Sequence, residues 1–306
     1  MADEVATPTR LDKLFCLDYF RNQVPWYGPY INDGRHYIIV SSSLSGWPSA
    51  VDYDLTCWIF DETGSIVSMK PLLQKQRAVE PVTINLKEET AELSPMRGMV
   101  ALLLRPSEPG VAVPTVEQTW AVRICDDSGI NELVASGTSK TINFPERTGR
   151  KGKFRLFSSA LMICEGWRSI AVIMNASANS EYTTDLNLRV HAFNKKGKRL
   201  DVSGIRVPPF GTVWLDMLEL FGDRLLQLLS DSDGRGSYAI ESDDAASIGY
   251  HFLYHPETGK FAGDHTRPLM AYIPNCYGAG VFTLKKPSYR DFLSHGKFLC
   301  SQIFKR

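Results

Sequence analysis

Three of the chain's six histidines fall within "GYHFLYHPETGKFAGDH", residues 249–265. In an extended strand alternate side chains share a face. His251, Leu253 and His255 therefore project one way, and Tyr250, Phe252 and Tyr254 the other. "HPETGK" reads as a hairpin turn and "FAGDH" as the return strand, which sets Asp264 or His265 opposite His251, within cross-strand reach. His251 and His265 with Asp264 would then hold zinc or iron, or form a His–Asp proton-transfer pair; a neutral imidazole suits both roles. The competing reading is structural. Histidines sit readily on half-exposed strands beside aromatics, and HxxxH signals zinc on a helix, not on a strand. The expectation is no cofactor, with zinc or iron as the exception to test.

Aromatics form the second constellation. Trp26, Trp47 and Trp167 flank turns in "VPWYGPY", "LSGWPS" and "CEGWRS", whereas Trp58 and Trp214 sit inside apolar runs and read as core. Trp26, Trp47 and Trp167, with Tyr250 and His255, are the candidate ligand-binding set: exposed aromatic faces suit planar or apolar ligands. Core packing is the alternative for each, since large aromatics are mostly buried. "DSDGRGSY" (231–238) has a calcium-loop flavour through Asp231, Asp233 and Gly234, but "ESDD" is out of register for the closing glutamate. No dinucleotide fingerprint, Walker loop, nucleophile elbow or HExxH occurs.

The elements that must position these residues are strands. "RHYIIVSSS", "DYDLTCWIF", "GSIVSMK", "EPVTINL" and "MVALLLR" are β-branched or aromatic runs separated by turn residues such as "DETG" and "SEPG". That spacing predicts antiparallel sandwiches rather than alternating strand and helix. The second half repeats the first: "LTCWIFDETGSIV" (55–67) lies over "LRVHAFNKKGKRL" (188–200), "EPVTINLKE" (80–88) over "GTVWLDMLE" (211–219), and "MVALLLRPSEPG" (99–110) over "SIGYHFLYHPETG" (247–259). On the last alignment Ala101 and Arg105 replace His251 and His255. The fold expected is all-β: two tandem antiparallel β-sandwich domains from an internal duplication, with short N-terminal and peripheral helices. The divisions are an N-terminal helical extension at 1–30, sandwiches at 31–145 and 146–275, and a basic amphipathic tail at 276–306. "NFPERTGRKGKF" (143–154) reads as the linker, and "WLDMLELFGDRLLQLLSD" (214–231) as a helix capped by Asp216.

Lys plus Arg and Asp plus Glu are each 34, so no global charge favours nucleic acid or an anionic membrane. The basic turn "NKKGKR" reads as solvated. "MADEVATPTRLDK" lacks the apolar stretch of a secretory signal, and no apolar run is long enough to span a bilayer. A cytoplasmic protein is expected, its six scattered cysteines free thiols.

From 168 to 273 the chain resembles the sensory-rhodopsin-transducer family of small β-sandwiches. The matching features are a strand ending in Met174-Asn175, a strand pair around Gly197, "VPPFGT" (207–212), a late strand carrying His251, and "PLMAYI" (268–273). Residues 36–142 would be a diverged second copy. The resemblance implies a cytoplasmic, oligomeric binding or signalling module recognising a small molecule or a partner protein. The other function class to separate from it is an enzyme with a His-based acid/base or metal site on the histidine hairpin, acting on a mainly apolar substrate.

Overall fold

The computed structural model describes residues 25–42, 51–77, 81–108, 119–126, 129–138, 154–177, 182–242, 244 and 248–263. The N-terminal helix, the tail and all of the linker but Phe154, which opens a strand, lie outside them, as do Trp47, Asp264 and His265.

The described chain is mainly β-strand, and every strand pair is antiparallel. The first half contains β1 (Trp26–Asn32), β2 (His36–Ser42), β3 (Asp52–Asp61), β4 (Ile66–Arg77), β5 (Val82–Asn85), β6 (Met96–Pro106), β7 (Thr119–Asp126) and β8 (Gly129–Thr138). They form two sheets, β1-β6-β3-β4 and β5-β2-β7-β8. The second half contains β9 (Phe154–Cys164), β10 (Trp167–Met174), β11 (Leu186–Phe193), β12 (Arg199–Val207), β13 (Thr212–Asp216), β14 (Arg235–Ser242), β15 (Ile248–His255) and β16 (Lys260–Gly263). Their ladders run β9-β14-β11-β12 and β13-β10-β15-β16, joined where β9 turns into β10. Taken strand by strand, the two halves have the same order.

Two sequence correspondences hold in detail. In the β3–β4 turn Asp61 Oδ1 accepts from the N–H groups of Thr63 and Ser65. In the β11–β12 turn Asn194 Oδ1 accepts from those of Lys196 and Lys198. Gly64 and Gly197 take φ of +86° and +77° at matching places. Likewise β5 ends on Asn85, which caps the short helix α1 (Leu86–Glu89), and β13 ends on Asp216, which caps α2 (Met217–Phe221). The expected helix thus begins at Met217 rather than Trp214, and Gly222 separates α2 from α3 (Asp223–Leu229).

The third correspondence is out by one strand. β6 pairs with β1 and β3 and holds the place of β14; β15 is matched by β7. Ala101 and Arg105 are therefore not the counterparts of the hairpin histidines. β6 and β15 are both apolar runs followed by Pro, so their composition is alike although their places in the sheets differ. β1 corrects a boundary as well. It starts inside the stretch read as an N-terminal extension, yet pairs with β6 from Trp26 to Asn32.

One core spans both halves, because the β1-β6-β3-β4 sheet is covered on both faces. On β1, Trp26 packs on Trp120 of β7 and the Tyr30 hydroxyl bonds Thr90 after α1. The intervening Tyr27 points the other way, and its hydroxyl donates to the Ser177 carbonyl at 2.6 Å. Phe60 stacks on Phe210, and the Arg97 guanidinium lies over Trp214. A strand buried on both faces has no polar side to show, which is why β6 reads "MVALLLR" without alternation.

The seam between halves is tight at the β3–β4 turn. Thr212 N–H donates to the Glu62 carbonyl at 3.1 Å, and a Cβ on Gly64 would lie 2.1 Å from the Pro209 oxygen. At Gly197 the same Cβ would meet open space. Both glycines are left-handed, so Gly197→Ala should cost about 1–2 kcal/mol from backbone strain alone. Gly64→Ala must also push the halves apart and should cost roughly 2 kcal/mol more, as overpacking does. Urea unfolding midpoints of the two variants measure the difference; equal costs would show that the seam yields freely.

Candidate functional site

β10 and β15 run side by side, with Arg168 paired to Tyr254 and Ala171 to His251. Alternation along β15 is as the sequence implied. Tyr250 and Phe252 enter the shared core, whereas His251 turns to the opposite face. His251 is 3% exposed. Its Nδ1 lies 2.9 Å from the Ser159 hydroxyl and its Nε2 3.3 Å from that of Ser169, with the Tyr238 ring edge-on. A hydroxyl donates or accepts as required, so each ring nitrogen has a partner. The β15–β16 register runs to Phe252↔Gly263, so the contact proposed for Asp264 and His265 falls just beyond the described residues. Four residues along a strand separate His251 from His255 by about 13 Å, too far to share a metal. Among the described residues, no group of three or more His, Cys, Asp or Glu side chains is arranged to hold a metal ion.

His255 meets a different partner. The register that pairs Arg168 with Tyr254 brings Trp167 beside His255, and their rings stand edge to face with centroids 5.3 Å apart. The β9–β10 turn makes room for this. Glu165 and Gly166 both have positive φ, the tight hairpin geometry, and a Cβ on Gly166 would lie 2.4 Å from His255 Nε2. The two hairpin tips and α2 enclose an open cleft of about 370 Å³. Ile163, Trp167, Leu218 and Pro256 supply its apolar lining, and Glu165, Glu257 and Arg168 its charge. Arg168 is already engaged, 3.4 Å from Asp216 Oδ2 and 3.8 Å from Glu219 Oε1. Two members of the aromatic set thus come together, Trp167 lining the cleft and His255 packed against its ring.

The others do not. Trp26 is 1% exposed and packed on Trp120, so it is core rather than an exposed platform. The expectation failed because its flanking turn residues belong to a strand that a sheet covers on each side. Tyr250 is 6% exposed; its hydroxyl donates to the Tyr27 carbonyl and secures the seam. In the calcium-like loop, Asp231 is paired with Lys196 at 2.6 Å. The Cys57 thiol is buried and its pKa pushed up to about 12, which removes it as a nucleophile.

Two buried histidine clusters escaped sequence reasoning. His191 Nδ1 lies 2.7 Å from Asp201, and its Nε2 3.6 Å from buried Glu241. Burial works against its protonation, but the two carboxylates outweigh that and raise its pKa. The aligned "VHAFNKKGKRLD" does pair the two, since His191 and Asp201 are cross-strand partners in a hairpin whose turn was legible. The second cluster is His36 with Asp33, three residues apart in "DGRH". Its ring reaches across the seam to the Gly259 carbonyl, and no local signal announces that. A second opening, of about 460 Å³, lies by the basic turn between Lys195, Asp233 and Arg235, where opposite charges mix.

No family model matches the chain, and no curated protein matches it. Among solved structures it is similar to a calcium-binding mutant of Bacteroides uniformis beta-glucuronidase 2, at 11% identity and a TM-score of 0.18. The match covers 78% of this chain and 25% of that one, so the chain spans about a quarter of that protein's length. A likeness this weak assigns neither fold nor activity. Among the described residues no helix is long and apolar enough to cross a membrane.

Proposed function

We propose that this chain is a cytoplasmic binding module, two copies of one eight-stranded unit, which recognises a small molecule or a side chain of a partner protein. The observation that carries the reading is the cleft of about 370 Å³ at the hairpin tips, lined by Trp167, with His255 packed against the indole. It is concave, partly apolar and rimmed by a few charges, which is the usual make-up of a ligand site. Its side chains stand on paired strands and tight turns, so little ordering is lost on binding. The resemblance to the sensory-rhodopsin-transducer family favours the same class of function. Of the residues that carry the enzyme alternative only His251 is described, and its buried ring faces the hydroxyls of Ser159 and Ser169.

The test is a fragment screen read by fluorine NMR on protein carrying 5-fluorotryptophan, with Trp167→Phe used to assign the Trp167 signal. Fragments should move that signal, and Trp167→Ala should weaken their binding roughly tenfold, about 1.4 kcal/mol. Circular dichroism should show the variant folded. Hits that leave the Trp167 signal still while moving others would move the site elsewhere, and no hits at all would sink the proposal.

A further inference from the structure

Resting on that reading, we infer that the cleft takes an organic cation, either a free ammonium compound or the cationic side chain of a partner. Glu165 stands at the tip of one hairpin and Glu257 at the tip of the other, and both line the cleft. Both are exposed, and neither forms an ion pair among the described residues. Arg168, the cation that lines the same space, is turned toward Asp216 and Glu219 on the α2 side. The arginine charge is thus spent on its own neighbours, and the two rim carboxylates have no ion pair among the described residues, with Arg35 bonded to the Thr258 carbonyl next to Glu257.

The Trp167 indole lines the same cleft. A tryptophan face attracts a cation by roughly 0.5–1 kcal/mol in water and about 2 kcal/mol where water is excluded. Ile163, Leu218 and Pro256 complete an apolar surround suited to the methyl or methylene groups of an alkylammonium. An anion would meet two like charges here. A neutral ligand would gain the apolar contact but nothing from the carboxylates. His255 stands perpendicular to the indole, and Gly166 lets it approach without a Cβ in the way. The cleft is thereby pre-shaped, its aromatic face held and its carboxylates on opposed turns.

The experiment uses the full chain and three probes: choline, its neutral isostere 3,3-dimethylbutan-1-ol, and Nα-acetylarginine amide. Each is titrated against the fluorine signal of Trp167. Choline or the capped arginine should move that signal, at least tenfold more tightly than the neutral isostere. Glu165→Gln with Glu257→Gln should weaken the cation at least fivefold and leave the isostere unchanged. Binding should also weaken with added salt, as screened charges do. A preference for the capped arginine assigns a partner side chain, and a preference for choline a free ligand. The inference is overturned if the isostere binds as well as choline, or if the double Gln variant binds cations as before. In either case fragment binding at Trp167 would still stand, so the two failures are distinguishable.

Discussion

Replacing Asn175 by aspartate is expected to unfold the second half of the molecule at modest urea, although the two side chains have nearly the same volume. Asn175 follows β10 and is fully buried. Its Nδ2 donates to the carbonyls of Thr184, Val207 and Pro208 at 2.8, 3.1 and 3.0 Å. Its Oδ1 accepts from the Tyr182 hydroxyl at 2.9 Å. Its backbone is also committed, donating to the Gly211 carbonyl and accepting from Phe210 N–H. One amide therefore ties the loop after β10 to the end of β12 and the turn into β13. The three carbonyls can only accept, so the nitrogen must face them. Aspartate would present an oxygen to all three and bring a charge with no counter-ion. Each buried acceptor left without a donor costs about 1–3 kcal/mol. The variant should lose more than about 3 kcal/mol, a large part of the 5–15 kcal/mol typical of a domain. Tyr182→Phe removes one hydrogen bond at the other end of the amide and should cost about 1 kcal/mol. Urea unfolding followed by circular dichroism gives both numbers. An Asn175→Asp midpoint close to that of the unaltered protein would mean the network is not what holds these turns.

Asn175 also shows what kind of information the sequence carried. "MN" at the end of a strand was visible as a marker, but its three acceptors lie on segments that only the folded chain brings together. Local chemistry was legible. Asp61 and Asn194 at equivalent turns, Gly64 and Gly197 with positive φ, and the caps Asn85 and Asp216 all follow from residue type at a fixed offset. Alternation also placed Tyr250 and His251 on opposite faces of β15 correctly. What failed was assignment among strands that look alike. β6 and β15 share composition but not place, and only hydrogen-bonded order distinguishes them. Trp26 was misjudged for the same reason, since a sheet covered on both faces hides what a sandwich edge would expose. For the site, Trp167 and His255 were each singled out. Their meeting depends on the β10–β15 register, a long-range fact with no local signature.

His36 makes the seam between halves sensitive to pH, and the sign follows from its partners. Nδ1 faces the Asp33 carboxylate at 3.0 Å and Nε2 faces the Gly259 carbonyl at 2.7 Å. Both partners only accept, so both ring nitrogens must carry protons and the ring is an imidazolium. Phe261 and Tyr254 meet it edge-on. Burial by itself would lower the His36 pKa, but the bonds to Asp33 and Gly259 more than offset it and the net direction is upward. For Asp33, burial would raise the pKa, and the bonds from His36 and the Arg35 N–H instead hold it down to about 2. Other charges near the pair are Arg35, Arg97 at 3.8 Å from Asp33, and Asp126 opposite His36 on β7. A raised folded pKa means the stabilisation is complete below the ordinary histidine value of about 6.5 and is lost as pH climbs through the folded value. The Asp33 share is present above the ordinary carboxylate range and is lost only as pH falls toward about 2. Hydrogen bonds to charged groups contribute about 1.5–3 kcal/mol each. His36→Ala should therefore cost roughly 3 kcal/mol or more at pH 5.5, and at least about 1 kcal/mol less at pH 9. Asp33→Asn should bring the His36 midpoint down, as read from its Cε1 proton by NMR. A His36 that titrates at or below its ordinary value, or an alanine cost that does not change with pH, would rule out the imidazolium and leave the contact as packing alone.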